Sequence, residues 1–313
     1  MERINAFLSL GLPEIAALFV PFDTSLTVSG VTPLSESMGN SGYAVETDAG
    51  KFFLKIYSNA TDGTEAASYA YWRDRLRVPQ LFYHDGSKSA FPYAYTIAEW
   101  VPGVPLVRFV REQGKFPPEL AWQAGRMCGL LHTRQYPHDA LLDERLNAAG
   151  DLPRWREKLT VLLNGRPGSR LKAKTVEALR AFVRDNPALL DRLEERSVFC
   201  HGDFSSANLM CADGELTLID FEWAYAGSPY TDIGHFFRRR DDDAAALPDS
   251  GVYDAFADGY NAASDVPLPA GWLALARLCD VSALLCLLNY EHAPAAWVPD
   301  IERDILRAVC GFS

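Results

Sequence analysis

Several features that would mark a secreted, zinc-binding or membrane protein are missing from this sequence. Its six cysteines are scattered and form no CxxC pair, so we expect reduced thiols and no disulfide framework. Cys200 and His201 stand near Cys211, but no second ligand pair follows them, which argues against a zinc site. The longest late apolar run, residues 281–288, is far too short to span a bilayer.

The N-terminus also lacks the basic start of a signal peptide. Glu2, Pro13 and Glu14 interrupt its apolar residues, so residues 1–19 are predicted to form one or two helices. These absences together lead us to expect a cytoplasmic protein with no membrane partner.

Positive charge is in deficit, because 30 Lys and Arg residues stand against 41 Asp and Glu residues, for a net charge of −11. This balance disfavours nonspecific binding to nucleic acid or to an anionic membrane. It is compatible with a cationic small substrate, although solubility alone is the favoured explanation. The 313 residues are 48% hydrophobic and 23% charged, which is ordinary for a globular protein of one large domain or two modest ones. The composition leaves the oligomeric state open.

Strand patterns dominate the first hundred residues. Residues 26–58 are rich in β-branched and aromatic residues, and Asp48-Ala49-Gly50 suits a hairpin turn. A helix is predicted over 61–76, started by a capping Thr or Asp, and two short strands follow it. After Val101-Pro102-Gly103 the patterns become helical, apart from residues 197–222. Helices are predicted over 116–134, twice within 152–195 with a break near 164–170, and over 250–263, 270–291 and 298–310.

Residues 197–222 carry the chemistry. The stretch HGDFSSANLM (201–210) follows an apolar run, and a hairpin around residues 212–215 should return Asp220 to the neighbourhood of Asn208. An Asn oxygen and an Asp carboxylate that converge in this way suit Mg²⁺. Asp203 would stand beside them and accept a hydroxyl proton while the metal neutralises phosphate charge. The alternative is that all three are turn residues, which Asp and Asn favour, but three of them between two apolar strands make that reading weak.

This pattern resembles the catalytic loop and metal segment of protein-kinase-like enzymes. His201-Gly202-Asp203 with Asn208, then Ile219-Asp220-Phe221, is similar to the aminoglycoside phosphotransferase family and its small-molecule kinase relatives. Gly227, Pro229 and Asp232 continue the likeness. The resemblance implies a bilobal α+β fold, with a nucleotide-binding lobe of antiparallel sheet plus helix at 1–98, a hinge at 99–103 and a mostly helical lobe at 104–313. It also implies Mg²⁺ and ATP, or GTP, as the phosphoryl donor.

The resemblance assigns further residues to the nucleotide. Lys55, at the end of a strand, is expected to bind the α- and β-phosphates, and Glu65 to orient it by an ion pair; Asp62 competes for that role but fits a helix cap better. Residues 35–45 lie where a phosphate-covering loop belongs and do not match GxGxxG or the P-loop. The residues expected to contact the nucleotide through this loop or through the hinge backbone are Gly39, Ser41, Gly42, Glu99 and Val101.

Three residues near the catalytic loop are expected to act indirectly. His201 is expected to hold the loop through a backbone hydrogen bond, and Asp232 to cap a helix or pin the loop. Glu222 lies two residues after Asp220, which on an extended segment places both carboxylates on one face. It is expected either to support the metal site or to face solvent.

The expected activity is phosphorylation of a small-molecule hydroxyl, with an aminoglycoside-type antibiotic, and hence antibiotic resistance, as the favoured reading. Glu222 stands where protein kinases carry Gly, and no Ala-Pro-Glu segment follows, so a protein substrate is disfavoured. Acidic residues in the helical lobe suit amino groups of the substrate or form a solvated face: Asp241, Asp242, Asp243, Asp254, Asp258 and Glu291. Choline, homoserine, sugar or macrolide kinases are alternatives, and a non-catalytic nucleotide-binding scaffold is the alternative from another class.

Overall fold

The computed structural model describes residues 5–34, 39–58, 63–238 and 249–310. Its elements up to the predicted boundary are α1 (Leu12–Phe19), β1 (Val28–Leu34), β2 (Ser41–Thr47), β3 (Gly50–Ile56), α2 (Thr64–Trp72), β4 (Leu81–Asp85) and β5 (Tyr95–Glu99). The following elements are β6 (Val104–Pro105), α3 (Leu106–Gln113), α4 (Pro118–Leu131), β7 (Gln135–Tyr136), β8 (Ala140–Leu142), β9 (Ala148–Asp151), α5 (Trp155–Asn164), α6 (Arg166–Arg170), α7 (Ala173–Asp185), α8 (Pro187–Leu193), β10 (Ser197–Cys200), β11 (Leu209–Ala212), β12 (Glu215–Leu218), β13 (Tyr225–Gly227), α9 (Tyr230–Phe236), α10 (Ser250–Asn261), α11 (Trp272–Leu287) and α12 (Trp297–Cys310).

The first five strands form one antiparallel sheet in the order β1-β2-β3-β5-β4. The predicted hairpin is confirmed: β2 pairs with β3 around Asp48 and Ala49, and Gly50 takes a positive φ of 121°. One face of this sheet packs against Ile15 and Phe19 of α1 in a small apolar cluster. The sheet therefore holds Lys55 near the end of a well-packed central strand.

The helix predicted over 61–76 is shorter in the structure and spans Thr64–Trp72. Its N-cap is Gly63, which has a φ of 84°, and the predicted capping residues Thr61 and Asp62 lie outside the described residues. Tyr69 and Trp72 on this helix join the larger apolar cluster, together with Phe199 and Phe221. Apolar packing thus continues across the predicted boundary at residues 99–103.

Four helices, and not the predicted two, occupy residues 152–195. Pro167 lies in the first turn of α6, and Pro187 opens α8 directly after α7. Proline fits the first turn of a helix, since its missing N–H would have no helical partner there. The prolines therefore start new helices at points where the sequence pattern indicated only a break.

Two small antiparallel sheets frame the segment that carries the chemistry. One has the order β7-β10-β13-β8-β9 and the other the order β12-β11-β6. Strands β7, β8 and β9 were not predicted, because they are only two to four residues long. The first sheet delivers residues 201–208 at the end of β10, and the second returns the chain to Asp220 at the end of β12.

Candidate active site

The loop after β10 is anchored by one buried carboxylate. Asp232, in the first turn of α9, accepts hydrogen bonds from the backbone N–H of His201 (2.7 Å) and of Gly202 (3.0 Å). The His201 ring is fully buried, and its Nε2 lies 3.0 Å from the carbonyl oxygen of Ile219. These contacts join the loop to α9 on one side and to the Asp220 segment on the other.

Asp203 presents its carboxylate at the mouth of this loop. Asn208 Nδ2 donates to Asp203 Oδ2 (2.8 Å) and to the Asp203 carbonyl (2.9 Å), which closes the loop on itself. His235 Nε2 lies 3.1 Å from the other carboxylate oxygen, Oδ1. Burial raises the pKa of Asp203 above its ordinary value, although His201 opposes the shift. The group is therefore more basic than a solvated aspartate.

The hairpin of β11 and β12 brings Asp220 back to Asn208, as the sequence predicted. Asp213 and Gly214 form its two-residue turn and both have positive φ, which is the geometry of a tight hairpin. Ile219 N–H then donates to the Asn208 carbonyl oxygen at 3.0 Å. Asp220 has a φ of 70° and donates its own N–H to the Tyr69 hydroxyl at 2.8 Å. We expected an extended segment from Asp220 to Glu222. This prediction is wrong, because Asp220 adopts a left-handed conformation.

Lys55 lies at the centre of a carboxylate cluster. Its Nζ is 3.0 Å from Glu65 Oε2, 2.5 Å from Asp220 Oδ1 and 2.9 Å from Glu222 Oε2. Burial by itself lowers the pKa of Lys55, but Asp220, Glu65 and Glu222 outweigh it, so the pKa lies well above its ordinary value. The side chain is therefore a permanent ammonium ion held between strand β3, helix α2 and the segment after β12.

Glu65 is almost fully buried beneath this ammonium ion. The hydroxyl of Tyr57 donates to its carboxylate, and the hydroxyl of Tyr69 lies 3.5 Å from it. Burial raises the pKa of Glu65, while Lys55 opposes the shift. Two tyrosine hydroxyls and an ammonium ion thus surround one carboxylate, which fixes its position.

Glu222 links the end of the hairpin to the loop before β2. Its Oε2 accepts a hydrogen bond from the side-chain amide of Asn40, whose Oδ1 in turn accepts from Ser58 N–H at 3.1 Å. The Gly39 carbonyl accepts from the Ser58 hydroxyl at 2.6 Å. Glu222 therefore faces the cluster around Lys55. A Glu222 side chain that simply faces solvent does not fit its contacts with Lys55 and Asn40.

The remaining residues expected at the nucleotide occupy three places. Ser41 and Gly42 belong to β2, and the Ser41 hydroxyl accepts from Leu8 N–H at 2.8 Å. Glu99 ends β5, where its N–H donates to the Gln80 carbonyl at 2.8 Å. Val101 lies in the irregular stretch between β5 and β6. Ser37, in the middle of the expected loop, lies outside the described residues.

Hard oxygen donors converge where a metal ion was expected. Carboxylate oxygens of Glu65, Asp220 and Glu222 all lie within 4.8 Å of one another. Asn208 uses its amide nitrogen toward Asp203, which leaves its amide oxygen as a candidate metal ligand. Asp220 and Asn208 offer oxygen ligands of the kind that Mg²⁺ prefers, and Mg²⁺ binds through one or two carboxylates. The Lys55 ammonium ion lies between Glu65, Asp220 and Glu222, so these three carboxylates do not by themselves form a metal site.

Sequence reasoning missed several members of this site. His235, the two tyrosines and the side chain of Asn40 were not singled out. Spacing offered a signal for two of them. Tyr57 lies two residues after Lys55 along the strand direction, and His235 lies three residues after Asp232 on one helix face.

A comparison with protein families matches residues 30–278 to the phosphotransferase enzyme family. The chain belongs to this family. The resemblance drawn from residues 201–232 is thereby confirmed. A comparison of the chain with curated proteins finds no match.

Solved structures share the fold of this chain over nearly its whole length. A candidate fructosamine-3-kinase from Thermobifida fusca YX-ER1 is 21% identical, with 95% of this chain and 100% of that chain covered and a TM-score of 0.65. A macrolide 2′-phosphotransferase from Brachybacterium faecium is 14% identical, with 95% and 97% covered and a TM-score of 0.63. The GDP complex of an aminoglycoside 2′-phosphotransferase-IIIa is 14% identical, with 97% and 100% covered and a TM-score of 0.71. The predicted protein-kinase-like α+β fold is confirmed.

Within the described residues, no helix combines the length and apolarity needed to cross a bilayer.

Proposed function

We propose that this phosphotransferase transfers the γ-phosphoryl group of ATP or GTP to a hydroxyl group of a small molecule. The observation that carries the proposal is an unbroken chain of contacts from Asp203 through Asn208 and Ile219 to Asp220 and Lys55. These are the residue types that phosphoryl transfer needs for a base, a metal site and a phosphate-binding cation. A non-catalytic nucleotide-binding scaffold would not require a base, a metal site and a phosphate-binding cation in contact with one another.

Asp203 is proposed as the group that accepts the proton of the attacking hydroxyl. Its carboxylate lies at the loop mouth with one oxygen on Asn208, and its raised pKa makes it a better proton acceptor near neutral pH. The loop holds the carboxylate in place before the acceptor arrives, since Asp232 fixes the backbone at His201 and Gly202. Orientation of this kind contributes to rate because it removes a search over side-chain rotamers.

Asn208 and Asp220 are proposed as the ligands of Mg²⁺, with Glu222 in support. When bound, this ion would neutralise charge on the phosphate oxygens of the nucleotide. Asp220 is fixed for such a task by its backbone bond to Tyr69 and by its ion pair with Lys55.

Lys55 and Glu65 are proposed to position the nucleotide phosphates. The Glu65 carboxylate, held by Tyr57, helps to keep the Lys55 ammonium ion within the carboxylate cluster. The backbone around Gly39, Ser41 and Gly42 is proposed to approach the phosphates, and that of Glu99 and Val101 to bind the base. In this proposal residues 1–98 form the nucleotide lobe, 99–103 the hinge, and 104–313 the lobe with the acceptor site.

An amine-bearing alcohol of the aminoglycoside type is the proposed acceptor. The net charge of −11 and the exposed carboxylates of Asp254 and Asp258 on α10 and of Glu291 favour a cationic substrate. The three acids at 241–243 lie outside the described residues. Solved structures of the same fold carry names that include fructosamine, macrolide and aminoglycoside kinases, so the fold itself accommodates several acceptor classes.

The test is a nucleotide-consumption screen with ATP and GTP against aminoglycosides, macrolides, choline, homoserine and sugars. We expect turnover with an amine-bearing alcohol, dependent on added Mg²⁺. Turnover only with uncharged acceptors would contradict the cationic-substrate proposal and leave the reaction type intact. No turnover with any acceptor would contradict the proposed reaction.

The matched variant for this screen is Asp203→Ala. It should lower turnover by roughly 100-fold to 10,000-fold, the usual contribution of a general base. Nucleotide affinity, measured by calorimetry, should change little, because Asp203 is not proposed to contact the nucleotide. Near-normal turnover by the variant would remove Asp203 from the role of base.

A further inference from the structure

Two polar side chains of helix α9 contact the catalytic loop, and only the first was expected to do so. Asp232 in its first turn binds the loop backbone at His201 and Gly202. His235, three residues later, brings its Nε2 to 3.1 Å from Asp203 Oδ1. Residues three apart lie on the same face of a helix. One helix face therefore holds both the backbone of the loop and the carboxylate that the loop presents.

The two oxygens of the Asp203 carboxylate have different partners. Asn208 donates to Oδ2 at 2.8 Å, and His235 contacts Oδ1. The His235 side chain is only 14% exposed, while that of Asp203 is 36% exposed. An ionised carboxylate has about four acceptor sites, so Asp203 can keep both contacts and still accept a third donor from the open side.

We infer that His235 is a positioning residue for Asp203 and fixes its carboxylate through the oxygen that Asn208 does not bind. This inference rests on the proposed function, in which Asp203 accepts the proton of the acceptor hydroxyl. Bases in enzymes are commonly oriented by a third group in this way. With both oxygens held, the carboxylate cannot rotate about its terminal bond, and the remaining lone pairs keep one direction toward the acceptor.

The experiment replaces His235 in two ways and measures turnover, the KM for the nucleotide and the free energy of unfolding. His235→Leu removes the ring nitrogens and should lower kcat by roughly 10-fold to 100-fold, as expected when a reacting group is misplaced by about 1 Å. The nucleotide KM should change little. His235→Gln keeps an N–H donor near the position of Nε2 and should recover most of kcat. If His235 served only packing, kcat of His235→Gln would be no higher than kcat of His235→Leu.

His138→Leu is the matched control. His138 Nε2 lies 2.9 Å from Asp151 Oδ1, so it forms the same kind of pair, but on the surface and among residues without a proposed role in the site. This substitution should leave kcat unchanged.

A spectroscopic measurement tests the contact without relying on turnover. The chain has six histidines, and the ring ¹⁵N and ¹H resonances of His235 can be assigned by their loss in His235→Gln. They should shift when Asp203→Ala removes the carboxylate, whereas those of His138 should not.

Loss of kcat in His235→Leu, recovery in His235→Gln and the resonance shift together support the inference. The inference would be overturned, while the proposed function stands, if kcat were unchanged in His235→Leu or if the His235 resonances did not shift in Asp203→Ala. If the wild-type protein consumed no nucleotide with any acceptor, the proposed function would be overturned, and the inference with it.

Discussion

Gly202 shows how strongly one position in the catalytic loop is constrained. Its φ is 82°, a conformation that side chains rarely adopt. A Cβ atom there would lie 2.0 Å from the carbonyl oxygen of Trp223. Backbone of the Asp220 segment therefore passes directly over the residue that precedes Asp203, and only glycine leaves room for it.

We predict that Gly202→Ala both destabilises the protein and inactivates it. The left-handed conformation costs about 1–2 kcal/mol and the overpacking about 1–3 kcal/mol more. Displacement of Asp203 should lower turnover by roughly 100-fold. Chemical denaturation and the nucleotide-consumption assay measure the two effects.

Gly214→Ala provides the control for this substitution. Gly214 has a φ of 78°, but nothing lies within 4 Å of the position that a Cβ atom would take, so only the conformational penalty of about 1–2 kcal/mol applies. Equal destabilisation by the two variants would show that the contact with Trp223 yields when a methyl group is added.

At the scale of elements, one buried carboxylate joins α12 to the start of α7. Glu302 Oε1 accepts from the backbone N–H of Lys172 (2.6 Å) and from the Thr175 hydroxyl (3.0 Å). Its Oε2 lies 3.0 Å from Lys172 Nζ. Burial raises the pKa of Glu302, but these bonds outweigh it and the net pKa is below its ordinary value. A carboxylate at a helix N-terminus also interacts favourably with the helix dipole.

We predict that Glu302→Gln lowers the free energy of unfolding at pH 7 by about 1–3 kcal/mol, the range for hydrogen bonds to a charged group. Because the folded pKa is lowered, this stabilisation is present above the unfolded pKa and is lost as pH falls through the folded pKa. The difference between the two proteins should therefore shrink below about pH 4.3, the ordinary pKa of glutamate. Denaturation curves across pH measure it.

Glu177→Gln is the control, since Glu177 is exposed on α7, the helix whose start Glu302 contacts. A surface substitution of this kind usually changes stability by less than about 0.5 kcal/mol. A Glu302→Gln effect that persists undiminished at low pH would show that shape, and not charge, gives Glu302 its role.

At the scale of the whole molecule, helix α2 connects the two parts of the chain. Trp72 is 1% exposed, and its ring packs 5.3 Å from that of Phe199 in β10. Phe199 lies two residues before His201, at the start of the catalytic loop. The helix that carries Glu65 is thus seated on the strand that carries the catalytic loop.

We predict that Trp72→Ala lowers the free energy of unfolding by about 3–5 kcal/mol, as for other buried tryptophans. Unfolding should remain a single transition by both circular dichroism and fluorescence, because the apolar cluster crosses residues 99–103. Trp122→Ala is the control, since Trp122 is 40% exposed. Two separate transitions, with only one shifted by Trp72→Ala, would show that the two parts fold independently.

The sequence by itself determined the fold class and those site residues that lie close together along the chain. Asp203 and Asn208 lie in one loop, and an Asp-Gly hairpin turn brings Asp220 back to them, so local geometry sufficed. The two strand-like apolar runs joined by Asp48-Ala49-Gly50 likewise predicted the β2–β3 hairpin, because strand-forming residues and turn residues are local properties.

Only the tertiary structure decided which distant groups complete the site. His235 is 32 residues from Asp203 and Asn40 is 182 residues from Glu222, and no local pattern links either pair. The small sheets and the cluster around Trp72 depend on packing between segments far apart in the chain. Such contacts form because burial and charge pairing act through space, whereas the patterns that predict helices, strands and turns act between neighbours along the sequence.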